Sequence, residues 1–218
     1  MKKIFLTFAF LIGFVSNAYS ATMGFTVSMA NIDSDLSDDI DSNGTTDTTK
    51  SVSNEIAFGS IFIENELPNG LIVGFDFIPF EAEFESRSTT QVSLKDTSTT
   101  TSGTNKGTAD VSKHMTLYVQ PTKELDNGNK VFGTLGIVRA DVESLVQSVS
   151  STDKTVEQNL DGIKYGVGVK RDIGDSGIFK LELSRTDYDD ISVTTSNNTK
   201  VTADIDTTVL GLSIGRSF

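Results

Sequence analysis

The chain has 218 residues, a formal net charge of −12 and no cysteine. Such acidity argues against nucleic acid as a partner, because phosphate binding needs a basic stripe and none is visible. The missing cysteines rule out a disulfide scaffold, so packing or closure must hold the fold together.

Residues 1–20 read as a secretory signal peptide. Lys2 and Lys3 form a short basic start, Ile4 to Val15 is apolar apart from Thr7 and Gly13, and Ala18-Tyr19-Ser20 before Ala21 is a small-residue cleavage site. The apolar stretch is about a dozen residues, short of the roughly 20 that span a bilayer as a helix. Loss of the two lysines takes the net charge from −12 to −14. Residues 21–218 suit one domain.

Beyond residue 21 the pattern has period two, the signature of strands with distinct faces. Met23, Phe25, Val27 and Met29 alternate with small or polar residues, and so do Leu71, Val73, Phe75 and Phe77. Met115, Leu117 and Val119 follow, then Ile163, Tyr165, Val167 and Val169, then Phe179, Leu181 and Leu183, and last Leu210, Leu212 and Ile214. Segments near 52–63 and 130–142 are also strand candidates, with faces that the pattern leaves unassigned. This makes eight strands. Pro79 interrupts the third, and a bulge there would keep Phe75, Phe77, Phe80, Ala82 and Phe84 on one face.

The connections alternate in length. Those near 31–51, 86–110, 144–159 and 190–202 are long and rich in Ser, Thr, Asp and Asn, while those near 64–70, 121–130 and 171–177 are short and carry Asn-Gly or Gly-Asp turn signals. In an up-and-down meander the long connections then share one end, and both termini share the other. That matches a transmembrane barrel with four long extracellular loops and three short periplasmic turns. The acidic run at 33–44 is not an EF-hand, since it lacks glycine at loop position 6 and glutamate at position 12.

The face opposite the apolar one carries Gly24, Ser28, Gly74, Gly166, Gly168, Gly211, Ser213 and Gly215. Small residues suit the crowded inside of a narrow barrel, which turns the aliphatic face toward lipid. Asp76, Lys164, Lys170, Lys180 and Glu182 would then be barrel-interior charges of mixed sign. Enclosed charges have to pair, and Glu182 is expected beside Lys164 on the neighbouring strand.

The stretches "LDGIKYGVGVKRDI", "GIFKLELSRTDYDDI" and "LGLSIGRSF" resemble the small eight-stranded outer-membrane barrels of Gram-negative bacteria, of the OmpA/OmpX and opacity-protein kind. The resemblance implies Sec-dependent export, an outer-membrane location and contact with lipopolysaccharide. It also implies a monomer and a C-terminal signal for the barrel assembly machinery at Leu210, Leu212, Ile214 and Phe218. Arg216 departs from that signal, and the absence of tryptophan departs from the usual aromatic girdle. No periplasmic peptidoglycan-binding domain is expected after the barrel. No metal or cofactor is expected either, since His114 is the only histidine and no glycine loop precedes a helix. His114 has no accompanying catalytic motif, which points away from an enzyme. Three functional readings compete, in order of preference: a structural or adhesive surface barrel, a small channel for ions or hydrophobic solutes, and a soluble periplasmic β-protein; a lipid A-modifying enzyme built around His114 ranks below them.

Overall fold

The computed structural model describes residues 21–39, 44–92, 102–148, 151–194 and 200–218, with 38, 48, 82–92, 102–110, 144–148, 151–156, 193–194 and 201 described by backbone alone. The signal peptide expected at 1–20 lies outside the described residues.

Ten strands account for nearly all of the described chain: β1 (Ala21–Asp39), β2 (Thr48–Glu66), β3 (Leu71–Ile78), β4 (Ala82–Val92), β5 (Ser102–Glu124), β6 (Asn129–Ser148), β7 (Ser151–Ile173), β8 (Gly177–Tyr188), β9 (Ile191–Thr194) and β10 (Lys200–Ser217). Both β3 and β4 lie against β5, and both β8 and β9 lie against β10, so the ten segments form eight staves. Every pairing is antiparallel between chain neighbours, and β1 pairs β10 to close the barrel. Closure runs from Thr22 opposite Ser217 to Asp39 opposite Lys200, and the amide of Phe218 donates to the Ala21 carbonyl at 2.9 Å. The expected eight-stranded up-and-down barrel is therefore present. Among the described residues no helix is long and apolar enough to cross a membrane.

The short connections are tight. Gly70 donates its amide to the Leu67 carbonyl at 2.9 Å, and Gly128 repeats this to Leu125 at 3.0 Å. Both glycines have positive φ, 78° and 76°, which a side chain would strain. Pro68 and Asp126 occupy the first inner position of their turns, where a type I turn accepts them readily. The Ser217 amide bonds to the Ser176 carbonyl at 2.7 Å, which places the C-terminal residues at the short-turn end.

The long connections need correction. Strands run through most of the expected loops: β1 continues to Asp39, β2 begins at Thr48, β5 at Ser102, β6 reaches Ser148, β7 begins at Ser151 and β10 at Lys200. The cause is backbone pairing. Thr and Ser side chains sit comfortably on a pleated surface, and a ladder beyond the membrane needs no apolar outer face to persist.

A second correction concerns Pro79. The third stave does break at residues 79–81, but Ile78 faces His114 and Ala82 faces Val111. Three residues on this side (79–81) oppose two on β5 (112 and 113), an odd number against an even one, so the parity change falls on β5. It sits at Lys113, which has φ 50° and lies inside a register shift against β6. Ala82 therefore pairs with a lumen-facing position, and Phe80 lines the mouth of the internal cavity instead of the lipid face. The side chain of Phe84 lies outside the described residues.

Candidate functional site: the barrel lumen

The outer surface locates the membrane. Outward side chains are Met23 to Met29 on β1, Leu71 to Phe77 on β3, Met115 to Val119 on β5, Ile163 to Val169 on β7, Phe179 to Leu183 on β8, and Leu210 to Ile214 on β10. The two staves whose faces the pattern left unassigned are now oriented. Ala57, Gly59, Ile61 and Ile63 point out on β2, as do Val131, Gly133, Leu135 and Ile137 on β6. Four successive outward positions cover about 20 Å along a strand. Charged pairs stand directly above this belt. Arg139 donates to Asp161 through two nitrogens, each at 2.6 Å, Arg185 reaches Asp187 at 2.9 Å and Asp206 at 3.0 Å, and Lys113 meets Asp141 at 2.7 Å. The hydrogen bonds from Arg139 hold the Asp161 carboxyl below its usual range. Phe218 and Arg216 mark the opposite margin, both on the outward side of β10.

Inside the belt, the lumen is filled. Three glycines each receive an aromatic ring from the residue opposite on the next strand: Gly24 from Phe62, Gly74 from Tyr118 and Gly168 from Phe132. A Cβ at any of the three would collide with the ring. This is why the inner face is glycine-rich: each missing side chain makes room for a large one. The three rings surround one ammonium group. Lys180 Nζ lies 5.0, 5.4 and 5.8 Å from the ring centres of Phe62, Phe132 and Tyr118, within cation–π range. It pairs with Glu64, which also accepts a hydrogen bond from the Tyr118 hydroxyl at 2.7 Å. Glu64 and Lys180 are each only 3% exposed, so neither charge has water to turn to.

The network extends above and below this pair. Gln120 accepts from Lys180 at 3.3 Å and donates to Thr134 at 3.0 Å and Glu182 at 3.3 Å. Glu182 and Lys164 are 3.0 Å apart, an electrostatic contact without hydrogen-bond geometry. Lys170 reaches Glu66 at 3.2 Å, and Lys130 bridges Glu66 and Asp172 at 3.5 and 3.4 Å. Asp76 accepts from the Ser60 hydroxyl at 2.7 Å. All five residues expected as interior charges thus face the lumen: Lys164 and Glu182 meet each other, while Lys170, Lys180 and Asp76 meet partners that the sequence reading did not name. Glu64 and Glu66 fall in the segment 64–70 that the sequence reads as a short connection, whereas β2 runs on to Glu66, and Lys130 opens a stave whose faces the pattern left unassigned. With Ile61 and Ile63 taken as outward, Phe62 and Glu64 follow as inward, so "IFIE" held the signal.

Above the network the barrel changes character. The apolar side chains exchange faces. Ile32 and Leu36 on β1, Val52, Ile56 and Phe58 on β2, Val142 on β6, and Ile205 and Val209 on β10 all point into the lumen. At the same level Asp33, Glu55, Asp141 and Asp204 stand on the outer wall. The result is a cavity of about 950 Å³ with apolar walls and a polar floor containing Asp76, Lys164, Lys180 and Glu182. His114 lines it as well, with its Nε2 3.0 Å from the Tyr188 hydroxyl. Among the described residues no group of three or more His, Cys, Asp or Glu is placed to hold a metal ion.

A closed antiparallel barrel, apolar outside over a belt of membrane height and polar in the enclosed lumen, has the architecture of an integral membrane β-barrel. No protein-family model and no curated protein matches the chain, but solved structures do. The solid-state NMR structure of outer membrane protein AlkL in lipid bilayers aligns over 93% of this chain and 91% of its own, with TM-score 0.51 and 17% identity. Ail, the attachment invasion locus protein of Yersinia pestis, aligns over 91% and 99%, with TM-score 0.44 and 12% identity. Neisserial surface protein A aligns over 89% and 97%, with TM-score 0.42 and 12% identity. The likeness to AlkL, an outer membrane protein, agrees with the small-barrel fold expected from the sequence. At such identities the likeness is one of fold.

Proposed function

We propose that this outer-membrane barrel takes small apolar molecules into the outer half of its lumen and performs no chemistry on them. One observation carries the reading: the cavity of about 950 Å³, walled by aliphatic and aromatic side chains, on strands whose outer wall has turned polar. An empty apolar cavity costs stability, because its lining forfeits dispersion contacts. A small apolar solute restores them and leaves water, at about 25 cal/mol per Å² of buried apolar surface. The packed rings and ion pairs beneath favour retention of the solute over free conduction of ions. Of the two channel substrates expected from the sequence, hydrophobic solutes fit this lumen better than ions.

A surface-contact role is the second reading. Asp33, Asp35, Asp204 and Asp206 stand in register on paired strands beyond the apolar belt, a rigid acidic wall instead of a loop. On either reading the chain is exported through the Sec pathway into a Gram-negative envelope. It is inserted by the barrel assembly machinery through Leu210, Leu212, Ile214 and Phe218, and sits as a monomer among lipopolysaccharide.

The test uses the absence of tryptophan. A Phe58→Trp variant carries a single reporter on the cavity wall. In nanodiscs, 1-decanol should shift its emission saturably, and Leu160→Glu, which places a charge in the apolar wall, should abolish the shift. A linear, non-saturating response identical in both proteins would refute the reading.

A further inference from the structure

The charges of the cavity floor are unevenly partnered. Two carboxylates, Asp76 and Glu182, and two ammonium groups, Lys164 and Lys180, border it. Lys180 is already committed to Glu64 below the floor, and Lys164 is committed to Glu182. Asp76 is left with the Ser60 hydroxyl, and among the described residues no cation lies within ion-pairing distance of it. Lys164 and Lys180 are near enough to be felt, as is Glu182, whose sign opposes them. The protein shields Asp76 from bulk water, yet its own surface is only half-buried because it faces the cavity. A carboxylate enclosed at the end of an apolar chamber, without a counter-ion, is complementary to a ligand that brings one.

We propose that the ligand of this chamber is a cationic amphiphile: a primary amine or other small ammonium head seated against Asp76, with an apolar tail along the wall formed by Ile56, Phe58 and Leu160. The inference rests on the apolar-solute reading above and adds the head group. The geometry suits an N–H donor. One Asp76 oxygen accepts from Ser60, and a carboxylate retains further lone pairs for an ammonium. An anionic head would face Asp76 and Glu182 together, and Lys164 and Lys180 could approach it only by leaving their partners. The polar ring around the floor, with Thr116, Ser184 and Ser213 among its hydroxyls, supplies the hydrogen bonds that a small head needs on its other sides.

The Phe58→Trp reporter separates the head groups. Decylamine, 1-decanol and decanoate share one tail length, and each is titrated into the barrel in zwitterionic nanodiscs against protein-free discs. Decylamine should bind at least tenfold tighter than decanol, and decanoate weakest. Asp76→Asn keeps the side-chain shape and the Ser60 contact while removing the charge. It should bring decylamine to within about threefold of decanol and leave decanol unchanged. Lys164→Gln removes a competing cation and should widen the amine preference, a result that a merely structural role for the floor would not produce. Heat-modifiable gel migration checks that each variant is folded. Equal affinities for amine and alkanol in the reporter protein, or an amine preference that survives Asp76→Asn, would overturn the proposal. Decanol bound with no amine preference would sink the head-group assignment alone, and no saturable binding by any of the three would sink the apolar-solute reading with it.

Discussion

Removing either partner of the Lys180–Glu64 pair should destabilise the barrel far more than removing both. Each group is 3% exposed, and breaking a buried pair from one side costs about 3–5 kcal/mol because the other charge is stranded. Glu64→Gln leaves Lys180 inside three aromatic rings and beside Gln120. Cation–π attraction of about 0.5–2 kcal/mol per good contact offsets part of the loss, so this variant belongs near 3 kcal/mol. Lys180→Met leaves Glu64 with only the Tyr118 hydroxyl, since its Oε2 has no partner, so this one belongs near 5 kcal/mol. The double variant strands no charge, and methionine packs well against rings. It should lie within about 1–2 kcal/mol of the parent, since apolar replacement of buried pairs is often neutral. Urea unfolding in lipid vesicles, followed by circular dichroism, reads these values. With a slope of roughly 2 kcal/mol per molar, the single variants should lose about 1.5–2.5 M of midpoint and the double less than about 1 M. Additive losses in the double variant, or single variants within about 1 kcal/mol of the parent, would show that the pair is incidental to the packing.

Gly74→Ala should cost about 1–3 kcal/mol by overpacking, because the new methyl collides with the Tyr118 ring; Gly128→Ala, at a turn with open space around it, should cost less and only through its φ of 76°. The two unfolding midpoints decide, and a larger loss at Gly128 contradicts the ring-seat account. At the outer margin, the Asp161 carboxyl should titrate below the ordinary aspartate value near 4, with Arg139→Gln returning it upward, as followed by carbon NMR. The sign follows from the depressed folded pKa: any stability from this pair is present above the unfolded value and lost as pH falls through the folded one. An unchanged midpoint in Arg139→Gln removes the pair as the cause. Replacing Phe218 should impair insertion in cells more than refolding in detergent, and equal effects on both would remove the assembly-signal role.

What could be read from the residues alone divides at the membrane surface. Below it the lipid imposes one rule, apolar out, so Met23 to Met29 and Ile163 to Val169 declare their faces by simple alternation. The partner of Lys164 was legible because Glu182 is on the adjoining strand. The partner of Lys180 was not, because Glu64 lies 116 residues away across the lumen, and cross-lumen contacts leave no spacing in the chain. Above the surface the rule inverts. Water wets the outer wall, so apolar residues turn inward, and the parity of β1 passes from Met29 outside to Ile32 inside within three residues. Read with a single rule, that inversion looks like the end of a strand followed by a polar loop. On β10 the same change appears in reverse order, from Ile205 and Val209 inside to Leu210, Leu212 and Ile214 outside. The two strands pair directly, Met29 opposite Leu210 and Ile32 opposite Thr207, so the exchange occurs at one height on both. A parity switch shared by paired strands, with both halves still alternating, therefore marks the height at which the barrel leaves the lipid. The polar floor of the cavity lies within the lipid belt, and most of its apolar wall begins at that height because the side chains no longer needed by lipid line the lumen instead.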